Sequence, residues 1–138
     1  MPTPLPSLIP GEYLLGQYQV TIARYTASGW AGTVPPLNAA ITNFRLILQP
    51  QTRRPYEPAS IPSTYIVKVC DVLLDRRPGI LISLKTGHRL YLFIWWSQGE
   101  KLSDALRTML TSPIGSDSFH HNLRPGDLER LIRFISRL

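Results

Sequence analysis

Cysteine is almost missing from this chain. Cys70 stands alone, so no internal disulfide can close and no thiolate metal cluster can be built from one copy. A reducing compartment is the expectation that follows. Lying in the strand-like run Tyr65–Leu74, Cys70 reads as a small buried hydrophobe and not as a nucleophile. No stretch approaches the ~20 apolar residues of a membrane-spanning helix. The start of the chain, MPTPLPSLIPG, lacks the positive region and unbroken apolar segment of a targeting peptide. The expectation is a soluble, cytoplasmic protein that is at most peripheral to a membrane.

Acid is scarce as well. Against 15 Lys+Arg stand 9 Asp+Glu, a net charge of +6, which biases the surface towards phosphates, acidic lipids or acidic proteins. The cations come in pairs, Arg53-Arg54 and Arg76-Arg77, and not in one run, which is the pattern of solvated loop charges. Catalytic signatures are absent too: there is no G-x-G-x-x-G, no Walker-type loop and no G-x-S-x-G. Adjacent His120 and His121 beside Asp117 point apart on most backbones, and no Cys or Glu lies at ligand spacing. Asp71 and Asp75 have no nucleophile or base near them in sequence. The chain is therefore expected to be no enzyme and to hold no metal and no cofactor.

What is present is one domain's worth of chain: 138 residues, 43% hydrophobic, 17% charged, with 13 prolines that imply tight turns. Prolines 2, 4, 6 and 10 make an extended lead-in. Tyr13–Tyr25 then alternates imperfectly and reads as a first strand. Thr26–Leu37, TASGWAGTVPPL, reads as a loop with Trp30 near its tip, placed either to insert into a partner or membrane interface or to fold back over the core. Asn38–Gln49 reads as a central strand with Thr42, Phe44, Leu46 and Leu48 on its core face and Asn43 at a bend. Arg45 then points to solvent or to a neighbouring acid.

Pro50–Ser60 is a second loop, and Tyr65–Leu74 a second β-branched strand. Asp75–Gly79 turns the chain. Ile80–Lys85 and Arg89–Trp96 flank Thr86-Gly87-His88 as a hairpin, with Leu90, Leu92, Ile94 and Trp96 on one face and Arg89, Tyr91, Phe93 and Trp95 on the other. Both faces of that last strand are largely apolar, so the second needs cover. Ser97-Gln98-Gly99-Glu100 has capping-box spacing, and Leu102, Ala105, Leu106, Met109 and Leu110 repeat at helical intervals until Ser112-Pro113.

A linker and an amphipathic helix, Pro125–Leu138, close the chain. Leu128, Leu131, Ile132 and Ile135 form its apolar stripe, and Arg130, Arg133 and Arg137 its basic face. It either docks on its own domain or binds a membrane surface or partner. Consecutive strands followed by helices give an α+β chain with an antiparallel sheet. Residues 1–112 form the domain, and 113–138 the linker and final helix.

Several words in this order resemble a known family. Pro10-Gly11-Glu12-Tyr13-Leu14-Leu15, Ile41-Thr42-Asn43-Phe44-Arg45-Leu46-Ile47, Ser60-Ile61-Pro62 with Ile66 beyond it, the Lys85-Thr86-Gly87 hairpin and the capped helix are similar to the GRAM and pleckstrin-homology-like (PH-like) domains. The resemblance covers about residues 5–112. It implies a bent antiparallel barrel or paired sheet closed by a helix, and a binding module that contacts proteins or phosphoinositides. One departure bears on the ligand: Thr26–Leu37 holds no basic residue, where headgroup-binding relatives place theirs in the loop joining the first two strands.

The expected function is a non-catalytic module that engages a protein partner or anionic lipid headgroups. Its contacts are drawn from Trp30, Arg53, Arg54, Arg76, Arg77, Lys85, Arg89, Arg130, Arg133 and Arg137. The alternative is an assembly role, with homo-oligomers formed through Leu128, Leu131, Ile132 and Ile135 or through a sheet edge. Nucleic-acid binding, which would use Tyr91 or Trp95 as stacking faces, ranks last.

Overall fold

The computed structural model describes residue 8 and residues 10–32, 36–51, 58–85, 87, 89–94 and 99–111. The proline-rich lead-in before residue 8, Arg53, Arg54, Trp95, Trp96, Ser97 and the final helix with Leu128, Arg130, Leu131, Ile132, Arg133, Ile135 and Arg137 lie outside the described residues.

Among the described residues, eight strands precede one helix. They are β1 (Leu14–Thr26), β2 (Gly29–Gly32), β3 (Leu37–Thr42), β4 (Arg45–Pro50), β5 (Ala59–Pro62), β6 (Ile66–Leu74), β7 (Arg77–Leu84) and β8 (Arg89–Ile94), with a 3-10 turn at Ser63–Tyr65 and α1 at Gly99–Thr111. The pairings among these strands are antiparallel, in the order β5-β4-β3-β1-β8-β7-β6, with β2 added beside β1. The α+β expectation with an antiparallel sheet and a helix after it therefore holds.

The central stretch departs from expectation. Asn38–Gln49 is not one strand but two, β3 and β4, joined by a turn at Asn43 and Phe44, with Ile41 opposite Leu46 and Ala39 opposite Leu48. No glycine or proline announces this turn, and neither turn residue takes a positive φ. Side chains make it instead. The Thr42 hydroxyl oxygen accepts from the backbone N–H groups of Phe44 and Arg45 at 3.1 and 3.0 Å. Two donors that a tight reversal would otherwise strand are satisfied in this way. Both strands of the hairpin are buried on both faces, so alternation carries no signal that separates them.

Two smaller corrections follow. Thr26–Leu37 is not all loop, because Gly29–Gly32 pairs back onto Ala23–Thr26 as β2. The chain reversal at residues 75–79 needs only Asp75 and Arg76, both at positive φ (52° and 69°), while Pro78 and Gly79 already belong to β7. Elsewhere the pattern reads true. Ile80, Ile82, Leu84, Leu90 and Leu92 are buried, and the helical stripe Leu102, Ala105, Leu106 and Met109 is buried with them.

The helix explains how one sheet makes one core. It packs on β1 and β3 from one half of the strand order and on β6 and β7 from the other, so the sheet must bend strongly around it. Leu102, Leu106 and Met109 fill the space among Val20, Leu37, Ile41, Leu46, Ile80, Ile82 and Leu92. At the rim, buried Ser103 donates a hydrogen bond to Asp71 on β6, and Arg107 reaches the same carboxylate at 3.3 Å. That ion pair is exposed at both ends, so it orients the helix more than it stabilises it.

Candidate binding surface

The first candidate to settle is Arg45, since charge at the centre of a sheet needs a reason. Arg45 meets an acid from the start of the chain. Its Nε and Nη2 donate to the two carboxylate oxygens of Glu12 at 2.9 and 3.1 Å, and Nη1 donates to the Ser60 hydroxyl at 3.1 Å. The Glu12 side chain is fully buried and that of Arg45 nearly so (0% and 11% exposed). Thr42 donates to the same carboxylate at 2.7 Å, while Asn43 accepts from the Tyr13 N–H at 2.8 Å and donates to the Gly11 carbonyl at 3.0 Å. The short words around residues 11–13, 42–45 and 60–62 thus converge on one buried polar network. It welds the chain start to the β3–β4 turn and β5; it is framework, not a place for a ligand.

The surface with binding chemistry lies elsewhere, where two hairpin tips meet. Thr26 and Gly29 close the β1–β2 tip, Gly29 with φ of 109°, and the Thr26 hydroxyl donates to the Gly29 carbonyl at 2.7 Å. Asp75 and Arg76 form the β6–β7 tip. Between them, the Trp30 N–H donates to the Asp75 carboxylate at 2.6 Å, a bond spanning 45 residues of sequence. Gly29 is required here twice over, because a Cβ on it would run into that carboxylate.

Aromatic packing completes the junction. Trp30 lies 4.7 Å from Tyr91 and 5.3 Å from Tyr25, ring centre to ring centre, the latter edge-on. A second apolar cluster of Ala23, Leu74 and Phe93, flanked by Trp30, Val72 and Tyr91, fills the space beneath. This answers what covers the second face of β8: the β1–β2 hairpin and the end of β6 do so. Trp30 is accordingly half-buried and folded back, with one side still facing solvent. Beside it Tyr25 is 75% exposed, and Arg76 and Arg77 are exposed too, whereas Leu73, 74% exposed, lies on the other face of β6 with Asp71 and the helix.

Of the sequence-derived contacts, the fold thus brings Trp30, Arg76 and Arg77 to one surface. Lys85 and Arg89 gather at the opposite end of β7, where Lys68, Ser83 and Arg89 stand in one register row. Eight residues of strand, ~26 Å along its path, separate Arg77 from Lys85. The cations therefore form two groups and not one. Sequence reasoning missed Asp75 as the organiser of the first group, as well as Tyr25 on it. The sequence does place Asp75 in a turn, at Asp75–Gly79, but no local signal pairs it with Trp30, 45 residues earlier.

Among the described residues, no three His, Cys, Asp or Glu side chains gather as a metal site, and no helix is long and apolar enough to cross a membrane. No family model matches the chain, and no curated protein is similar enough to it to match. Among solved structures, the C-terminal domain of an unknown protein from Leishmania infantum is similar in fold. The TM-score is 0.53 and the identity 17%, over 72% of this chain and 85% of that one.

Proposed function

We propose that this chain is a non-catalytic binding module of the PH-like, GRAM-like kind that docks on an anionic surface, through a protein partner or lipid headgroups. The observation that carries the reading is the junction of the two hairpin tips. It sets exposed Tyr25, half-buried Trp30 and two exposed arginines, Arg76 and Arg77, near one another. Aromatic side chains beside cations suit an interface that is part hydrocarbon and part phosphate. The strand order, with a final helix packed on both halves of a bent sheet, supports the same kinship. So does the convergence of the resemblance-bearing words on one network.

Sedimentation with vesicles tests the proposal. The protein should pellet with phosphatidylserine-containing vesicles and not with phosphatidylcholine alone, and added salt should release it. Each arginine near such a surface is worth ~1 kcal/mol, so replacing Arg76 and Arg77 by Gln together should weaken binding about thirtyfold. Pelleting that ignores both salt and these substitutions would remove the electrostatic reading.

A further inference from the structure

We infer that β6 is the interface of a homodimer, in which two copies of this chain pair their β6 strands antiparallel about a two-fold axis at Cys70. The inference goes beyond the binding reading above and rests on other side chains. Among the described residues, β6 ends the strand order and pairs with β7 alone. Asp75 and Arg76, both at positive φ, close the β6–β7 hairpin as a two-residue turn, which makes Leu74 and Arg77 its first hydrogen-bonded pair. Alternation from there turns the N–H and C=O groups of Leu73, Asp71 and Val69 away from β7. Pro78 opposite Leu73 fits this phase, because a residue in a non-bonded pair needs no N–H towards its neighbour. Among the described residues none bonds to these three outward rows of main-chain groups.

Such a row takes another extended strand, since a helix spends its amides on its own carbonyls. Strand edges are commonly guarded by lysine, proline or a bulge. On β6 the guards are Lys68 and the bulge between Ile66 and Lys68, both at one end, and residues 69–74 carry none. The one charge in that stretch, Asp71, is held by Ser103 and Arg107 of its own helix. Val67 and Leu73, towards the two ends of the strand, are 63% and 74% exposed.

Self-complementarity names the occupant. A two-fold antiparallel pair must set one residue opposite itself. Centring on Asp71 would oppose two carboxylates directly. Centring on Val69 carries Leu73 past the opposing strand to Tyr65 in the 3-10 turn, and centring farther along either way drops Val67 or Leu73 from the overlap. Centring on Cys70 sets Val67 of each copy against Leu73 of the other, so all four exposed aliphatic side chains gain cover. It also sets Val69 against Asp71 as bonded pairs, which use the outward main-chain groups. Half-buried Cys70 then meets Cys70 of the second copy in the closely spaced, non-bonded kind of pair, with Cα atoms ~4.5 Å apart.

The test uses the full chain. Sedimentation velocity over a wide range of concentration should show monomer passing into dimer. Diamide, which takes two electrons and two protons from a pair of thiols, should join Cys70 to Cys70, because ~4.5 Å between Cα atoms lies within the span of a disulfide. Moving the thiol, by Cys70→Ser with Val72→Cys, should abolish the crosslink. Leu73→Lys should weaken the dimer roughly tenfold by uncovering an aliphatic contact on each side. Leu73→Pro, whose lost N–H faces away from β7, should weaken it too while circular dichroism shows the fold kept. A monomer at every concentration overturns the inference, as does a dimer that both Leu73 variants leave intact or that diamide does not join. A monomer in which the Val69, Asp71 and Leu73 amides resist hydrogen exchange assigns the edge to a segment of the same chain and overturns it as well.

Discussion

Removing the carboxylate of Glu12 should be among the most damaging single changes this fold can suffer. The group is fully buried and receives two guanidinium N–H bonds at 2.9 and 3.1 Å and the Thr42 hydroxyl at 2.7 Å. Glu12→Gln keeps the shape but takes away the charge, and its amide nitrogen opposes one arm of Arg45. Arg45, 11% exposed, is then left as a buried cation without its counter-charge. Breaking a buried pair from one side costs ~3–5 kcal/mol, a large part of the ~5–15 kcal/mol that holds a domain together. Urea unfolding followed by circular dichroism should show the midpoint fall with the slope preserved. The decisive partner is the double variant Glu12→Met, Arg45→Met. With both charges gone no cation is stranded, and most of the loss should return, short of the Ser60 bond to Arg45. A Glu12→Gln loss under ~1 kcal/mol, or a double variant no better than the single one, would refute the view that this pair is structural and coupled.

Other expectations follow from the same contacts. Thr42→Val strands the Phe44 and Arg45 N–H groups and should cost ~1–3 kcal/mol in the same assay, less than Glu12→Gln. Leu106→Ala removes a fully buried side chain between the two halves of the sheet and should cost ~2–5 kcal/mol, read as a lowered unfolding midpoint. At the tip junction, Asp75→Ala loses the acceptor for the Trp30 N–H and puts alanine at φ of 52°, whereas Asp75→Asn keeps a carbonyl and tolerates that backbone. The alanine variant should shift the Trp30 amide and indole resonances strongly and the asparagine variant little.

How much of this was legible before the fold depends on what holds each piece. The β7–β8 hairpin and α1 are local and patterned: Ile80, Ile82, Leu84, Leu90 and Leu92 alternate, Leu102, Leu106 and Met109 recur at helical spacing, and burial follows both. The β3–β4 turn was half legible: Asn43 reads as a bend, but the full reversal is made by a threonine hydroxyl and an asparagine amide between strands buried on both faces, with no glycine or proline to mark it. The tip junction hid for a different reason. Its one organising bond joins Trp30 to Asp75, 45 residues apart, and no local pattern encodes such a meeting.

That separation bears on the resemblance itself. The words that point to the PH-like family, around Glu12, Thr42 to Arg45 and Ser60, are spent on a buried network that fixes the frame. The residues proposed to meet a partner, Trp30, Arg76 and Arg77, lie outside those words, on hairpin tips that the frame holds in place. A chain could keep every resembling word and bind something else. The ligand of this one is to be sought by changing Arg77 and Trp30, with Glu12 and Arg45 left intact so that any loss of binding is not a loss of fold.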